Sequence, residues 1–382
     1  MALASSMIAA VALASAQPTE PRDYAQRLEP LVRAGMARVN SQGLAMAVIE
    51  NGEVKLVRTW GKRNGKGEPL TTDTVMYGAS LTKMMFGYLV AQLADEGKID
   101  LDASIATYLP KPLPDYKDEE VRFAPYQHLA GDERWRKLTP RILLNHSSGF
   151  ANFYWLNDDK QLKFHFEPGT RYAYSGDGIN LLQFVIERGI GLSVEEEMQR
   201  RFFRPLGMSN TSLVWQPHFA RNLADGWKED GSIEPHDERS KVRSAGSMDT
   251  SIADLAKLTA AYVRGDGLAS KARTAMVAPQ LEIRTPSQFP SLQAEPATAR
   301  FPGLGVGLGV IAFSGPQGRG FQKGGHNDST GNTLVCSERG KRCVLILSND
   351  VRSEQLFPEL VRAVLGPTGF PWEWEYGLPL SG

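Results

Sequence analysis

The sequence has no excess of either charge: 43 Lys and Arg stand against 43 Asp and Glu. That removes the basic stripe on which nucleic-acid binding usually rests, and no nucleic-acid partner is expected. No apolar run is long enough for a convincing transmembrane helix, so no stable membrane span is expected. Histidine is scarce, six in all, and no two stand at a metal-ligand spacing such as His-Glu-x-x-His. No metal and no cofactor is implied. Gly303 to Gly309 is glycine-dense but lacks the Lys-Ser/Thr of a phosphate loop. Gly-x-Ser-x-Gly is absent, which argues against an ordinary α/β hydrolase. The sequence carries no signal for oligomeric state.

Cysteine is nearly absent too, with two in 382 residues, Cys336 and Cys343. They flank a polar stretch between two apolar runs. With a hairpin turn at Arg339-Gly340 they stand opposite each other, close enough for a disulfide. Two free buried thiols are the alternative. Residues 1–16 are small and apolar and end in Ala14-Ser15-Ala16. They look like the end of a signal peptide without its positive n-region. This points to a periplasmic or secreted protein; the alternative is a flexible N-terminus on a cytoplasmic one.

What is present is an ordered series of elements. Tyr24 to Arg38 reads as a helix, and Leu44 to Glu50 and Val54 to Trp60 read as strands joined at Asn51-Gly52, a strong hairpin signal. Leu81 to Gly97 reads as an amphipathic helix. Helices are expected at Thr139–Leu144, Ile179–Arg188, Val194–Phe203 and Ser251–Tyr262, and a long irregular connection at 278–301. Three late strand candidates follow, Val306–Phe313, Thr333–Cys336 and Cys343–Ser348, and then a closing helix, Leu356–Leu365. The expected fold is α/β, in the α+β sense, with an antiparallel sheet flanked by helices and a mainly helical lobe. Residues 20–98 and 249–382 would form the α/β sandwich domain and 99–248 the lobe, with a cleft at the seam.

The chemistry centres on Ser80-Leu81-Thr82-Lys83. It puts a hydroxyl at the mouth of a helix and an amine one turn inward on the same face. A lysine in a partly desolvated site can lose its proton and serve as a base. The helix N-terminus offers N–H groups where an oxygen becomes negative. Alone, Ser-x-x-Lys is equally a capping serine beside a surface lysine.

Its company is more specific. Thr74-Val-Met-Tyr-Gly-Ala-Ser-Leu-Thr-Lys83 resembles the nucleophile segment of the penicillin-recognising serine hydrolases, which include class C beta-lactamases, DD-peptidases and related carboxylesterases. Arg141-Ile-Leu-Leu-Asn-His-Ser-Ser-Gly149 resembles a landmark of their helical lobe. Phe166 to Gly178 resembles the segment that carries their catalytic tyrosine, and Ser244-Ala-Gly-Ser-Met248 resembles the turn before a lobe helix. The matches run in the expected order from about residue 70 to residue 350. The resemblance implies the beta-lactamase/transpeptidase-like fold, Tyr174 as proton relay, and a structural rather than catalytic His146. Tyr172 is the neighbouring decoy. Where the family usually has Tyr-x-Asn, this chain has Tyr174-Ser175-Gly176, and Asp177 or Asn180 would have to substitute. That weakens the case for a lactam substrate.

The third motif, Lys-Thr-Gly or His-x-Gly in the family, has two registers here. His326-Asn327-Asp328 is preferred, because Ser329 to Leu334 resembles the esterase-like form; Lys323-Gly324-Gly325 is the alternative. In the preferred register an edge strand supplies the Ser329 N–H, which joins the Ser80 N–H as oxyanion hole. Asp328 then puts a carboxylate on the cleft wall, suited to an amine, unless it only caps the turn. Tyr77, Phe150, Phe153, Tyr154, Trp155 and Trp215 are candidates to line the cleft, with His326, Asp328, Lys323, Tyr77, Phe153 and Trp155 as the expected substrate-binding set. The implied reaction is acyl transfer to water through an acyl-enzyme. A carboxylesterase acting on small esters comes first. A D-amino-acid peptidase or amidase, or a weak beta-lactamase, is second. A non-catalytic relative that binds cell-wall peptide or a protein partner is the alternative of another class.

Overall fold

The computed structural model describes residues 23–117 and 120–377. The expected signal segment, residues 1–16, lies outside them. The centre of the molecule is an antiparallel sheet of eight strands. In chain order they are β1 (Gly43–Glu50), β2 (Glu53–Gly61), β3 (Leu281–Glu282), β4 (Gly305–Val306), β5 (Ile311–Gly315), β6 (Gly318–His326), β7 (Gly331–Ser337) and β8 (Arg342–Ser348). Across the sheet the order is β2-β1-β8-β7-β6-β5-β4-β3.

Asn51 and Gly52 both take positive φ, 56° and 74°, as the two-residue turn between β1 and β2 requires. β1 then pairs with β8, with Ala47 opposite Leu345, so the two ends of the chain meet in one sheet. Side chains of β1 alternate between two cores. Leu44, Met46 and Val48 pack with Leu28 and Val32 of α1 (Tyr24–Val39) and with the late helix Phe357–Leu365. Ala45, Ala47 and Ile49 face the other core, against the helix Ile252–Arg264; the same core takes in Leu81, Met85 and Leu89 of α2 (Leu81–Asp95). Between the sheet segments the chain runs through short helices, among them Pro140–Leu144, Gly176–Val185 and Val194–Met198.

Two expectations need correction. Helix α2 is not amphipathic: every residue from Leu81 to Leu93 is buried. It is covered on all sides, and Gly87 lies against the backbone of Leu308, where a Cβ would overlap. A helix that is apolar all round is a central one.

The second correction concerns β6, which the sequence reading does not contain. Gly318, Gly320, Gly324 and Gly325 rob it of the β-branched signature by which strands are recognised. Nor is it an edge strand. It pairs with β7 over Gly320–His326 and with β5 over Gly318–Gln322. Beyond Gln322 one side is free, and that free side faces the N-terminus of α2.

Cys336 and Cys343 stand opposite each other in β7 and β8 and are joined by a disulfide.

Candidate active site

Ser80 stands immediately before α2, after Ala79, a non-glycine residue held at φ 47°. Such a conformation costs energy and is kept only where the surroundings fix it. Here the Thr82 hydroxyl donates to the Ala79 carbonyl at 2.6 Å and accepts the Met248 N–H at 3.1 Å. The turn is thereby fastened to the small-residue segment 244–248. Ser80 makes no side-chain cap on its own helix, so its hydroxyl is available to other groups.

Two reach it. Lys83 Nζ donates to Ser80 Oγ at 2.9 Å, and Tyr174 Oη donates to the same oxygen at 2.8 Å. Lys83 Nζ also donates to the Ala245 carbonyl and lies 4.8 Å from the centre of the Tyr174 ring. Tyr174 stacks on His146, ring centres 4.5 Å apart. His146 Nδ1 accepts the Ser175 N–H at 3.1 Å, and burial holds the imidazole well below its ordinary pKa. It is a neutral support for the phenol and does not touch Ser80. Tyr172 points elsewhere, its hydroxyl donating to Gln288 Oε1 at 3.3 Å.

Burial, with the nearby charge of Lys323 second, pushes the Lys83 amine well below its usual range. Burial brings Lys323 itself down to about 8, opposed by Glu375. Burial raises the Tyr174 phenol despite its bond to Ser80. A phenol so raised does not store negative charge; it can only take a proton as it gives one.

The backbone of β6 completes the arrangement. A Cβ on Gly325 would lie 3.0 Å from Ser80 N and 2.9 Å from Leu81 N, so only glycine lets strand and helix end approach this closely. Glu338 N donates to Arg319 O at 3.0 Å and Asn327 N to Thr330 O at 3.1 Å, which fixes the phase of the β6–β7 ladder. Backbone direction alternates along an antiparallel strand. The N–H of His326 therefore points away from β7, to the free side beside Ser80. The N–H groups of Ser80 and His326 form the pair able to hold a developing oxyanion.

Two expected residues fall elsewhere. The Ser329 N–H is taken by Asn327 Oδ1 at 3.1 Å, and its hydroxyl by Glu234 at 2.5 Å. It lines a separate depression with His236 and Asn349. Asp328 lies on an open surface with Lys228, Glu229 and Asp230. Both errors come from reading the third motif three residues too late. The register that fits the geometry is Lys323-Gly324-Gly325, with His326 at its end.

These groups line a cleft of about 510 Å³. Of the expected residues, Tyr77, Phe153, Trp155, Lys323 and His326 line it, while Phe150, Tyr154 and Trp215 do not. Phe153 and Trp155 stack with ring centres 4.4 Å apart and form an apolar wall. Asn180 lines the cleft, its Oδ1 accepting the Ala245 N–H at 3.1 Å. Asp177 is instead buried against the Tyr154 N–H at 2.6 Å. Asn152, Arg243, Phe289 and Glu375 also line it, and no sequence signal marked them. Another cavity, about 340 Å³ among Phe301, Phe313 and Trp372, shares none of these residues. Among the described residues no group of acidic, histidine or cysteine side chains is arranged to hold a metal.

A serine, a lysine and a tyrosine converging on one oxygen beside paired backbone N–H groups, on the free side of an inner strand of an antiparallel sheet, define a class of protein. The family model described as Beta-lactamase matches residues 28–366, and the chain belongs to that family, within the penicillin-recognising serine hydrolases. A D-aminopeptidase of Gluconobacter oxydans is 26% identical over 221 residues, 55% of this chain and 39% of that protein. A lovastatin esterase of Penicillium rubens is 28% identical over 172 residues, 39% of this chain and 42% of that one. The chain thus matches less than half the length of either relative. Among solved structures, the D-alanine carboxypeptidase AmpC from Burkholderia cenocepacia has a TM-score of 0.70 at 16% identity, covering 90% of this chain and 99% of that one. A class C beta-lactamase has a TM-score of 0.70 at 18% identity, covering 89% of this chain and 95% of that one. At such identities the likeness is one of fold.

Proposed function

We propose that the protein is a serine hydrolase that works through an acyl-enzyme on Ser80, with small carboxylic esters as substrates. The observation that carries this is the meeting of Lys83 Nζ and Tyr174 Oη on Ser80 Oγ, at 2.9 and 2.8 Å. Lys83, neutral because it is buried, takes the Ser80 proton as Oγ attacks the carbonyl carbon. The oxyanion rests on the N–H groups of Ser80 and His326. Tyr174 passes a proton to the departing alkoxide as the carbon–oxygen bond breaks. Water then repeats the sequence: it loses a proton to the same pair, attacks the acyl carbon and returns Ser80 its hydrogen.

Two features favour an ester. The Phe153–Trp155 wall suits an apolar acyl or alcohol group, and the amide-holding Asn is missing from the Tyr174-Ser175-Gly176 segment. A D-amino-acid amide is the second reading, favoured by the D-aminopeptidase relative and by Asn152 and Asn180 on the cleft.

The test is a fluorophosphonate probe followed by intact mass, with p-nitrophenyl esters, nitrocefin and D-alanyl amides as substrates. One adduct per chain, absent in Ser80→Ala, and turnover of the esters before the others are expected. A folded protein with no adduct and no turnover would instead be a binding relative.

A further inference from the structure

Glu375 is a carboxylate with no hydrogen-bond partner among the described residues. It belongs to the short helix Trp372–Tyr376, anchored by Trp374 Nε1 donating to the Thr285 carbonyl at 3.1 Å. Its side chain lines the Ser80 cleft although the residue is only 7% exposed. Oε2 is buried without a hydrogen bond, and no donor among the described residues is bonded to Oε1. Burying a carboxylate costs several kcal/mol or more unless donors or a cation compensate it. The cleft cation Lys323 does not do so directly. Lys323 Nζ donates to the Gly324 carbonyl at 2.7 Å and feels Glu375 only through space.

The strand makes room for this carboxylate. A Cβ on Gly324 would overlap Glu375 Oε1 and lie 2.8 Å from Tyr376 Oη. Any other residue at 324 would displace Glu375 from the cleft wall. The remaining charges on this wall are matched: His326 Nδ1 lies 3.1 Å from Glu354 Oε1. Arg243, the other cleft cation, belongs to the wall that carries Ala245 and Gly246.

We propose that Glu375 is a specificity-determining residue of the Ser80 site, which binds an ammonium group of the substrate and turns away substrates that present a carboxylate beside β6. This rests on the reading of Ser80 as a hydrolytic nucleophile. An incoming ammonium supplies the donors that the carboxylate lacks. An incoming carboxylate meets a like charge and finds Lys323 already offset.

Two matched sets of esters test it. Phenyl acetates with aminomethyl, ethyl or carboxy at the meta position vary the alcohol side. p-Nitrophenyl benzoates with the same groups at the para position vary the acyl side. In at least one set, kcat/KM is expected to favour the aminomethyl over the carboxy ester by roughly tenfold or more. Glu375→Gln should cut that preference by about tenfold, and Glu375→Asp, which keeps the charge, should retain most of it. An unchanged preference in Glu375→Gln in both sets overturns the proposal. If Glu375→Gln does not fold, inhibition of the wild type decides: benzylamine should bind more tightly than benzoate, and the reverse order overturns it. Absence of any ester turnover and of any Ser80 adduct would instead sink the hydrolase reading itself.

Discussion

The Tyr174 hydroxyl donates to the Ser80 hydroxyl at 2.8 Å, although 94 positions separate them in the chain. With Lys83 Nζ on the same oxygen, Ser80 Oγ has a proton carrier on either side. Ser80→Ala should abolish labelling and lower ester kcat/KM by at least about 1000-fold, with a native circular dichroism spectrum. Tyr174→Phe keeps the ring on His146 and removes only the hydroxyl; it should lower kcat by roughly 100- to 10,000-fold. A Tyr174→Phe enzyme within threefold of wild type would take the phenol out of the mechanism.

Burial and then the charge of Lys323 hold Lys83 well below its ordinary value, which favours the neutral amine. The active form is the unprotonated one, so kcat/KM should fall as pH drops through the depressed pKa. Lys323→Met removes a neighbouring positive charge, which lets Lys83 hold its proton more readily. The acid limb should then move to higher pH. A pH profile of single-turnover acylation for wild type and Lys323→Met checks the sign, and a limb that stays put or moves down contradicts the coupling.

Gly325 is the point where β6 touches the start of α2. In Gly325→Ala the new methyl would sit 3.0 Å from Ser80 N, where the substrate oxygen has to go. Loss of about 100-fold or more in kcat is expected, as for removal of one oxyanion donor. Labelling by the small fluorophosphonate should slow in parallel. If acylation kept its wild-type rate, the oxyanion would have to bind elsewhere.

What was legible in the sequence was local. Ser80 and Lys83 share one helical turn, and Tyr174 lies in a segment with its own signature, so the sequence alone marks all three, although it does not show that they meet. The hairpin at Asn51-Gly52 and the placing of Cys336 opposite Cys343 are short-range geometry of the same kind. What was not legible depends on tertiary approach. β6 is glycine-rich because other backbones and Glu375 come close to it, and that same glycine content erased its strand signal. With the strand hidden, nothing in the sequence fixes its phase, and the third motif reads at Asp328 and Ser329, three residues past Gly325 and His326. Glu375 belongs to a short terminal helix whose relation to Gly324 exists only in the folded molecule. Helix α2 reads as amphipathic because Met85, Leu89, Val90 and Leu93 fall on one side; its other side is buried as well, where Lys83 and Gln92 both make hydrogen bonds.

The Cys336–Cys343 bridge closes a loop of sequence separation 7 between β7 and β8. Replacing both cysteines by alanine should cost about 2 kcal/mol in urea unfolding, the amount expected from loop closure in a short loop. Neither residue lines the cleft, so ester kcat/KM should stay within about twofold. A double variant as stable as wild type would show that ladder pairing alone fixes this hairpin.

Asp177 gives a prediction on stability with the opposite sign to that of an ordinary paired carboxylate. An aspartate normally ionises near 3.8, and burial holds this one up to about 7. Between those values the unfolded chain has released a proton that the native chain keeps. Asp177 therefore makes stability fall as pH rises from about 4 to about 7, and the loss is complete above the native pKa. Asp177→Asn cannot ionise but still offers an oxygen to the Tyr154 N–H, which Asp177 holds at 2.6 Å. The variant and wild type should be close in stability near pH 4, and the variant should be more stable by roughly 1–3 kcal/mol near pH 8. Other groups titrate in the same window, so the quantity to follow is the difference between the two proteins, from urea unfolding at each pH. A difference that does not grow between pH 4 and 8 would mean that Asp177 is already ionised in the native state, held by Tyr154 and by the charge of Arg243 more firmly than burial opposes it.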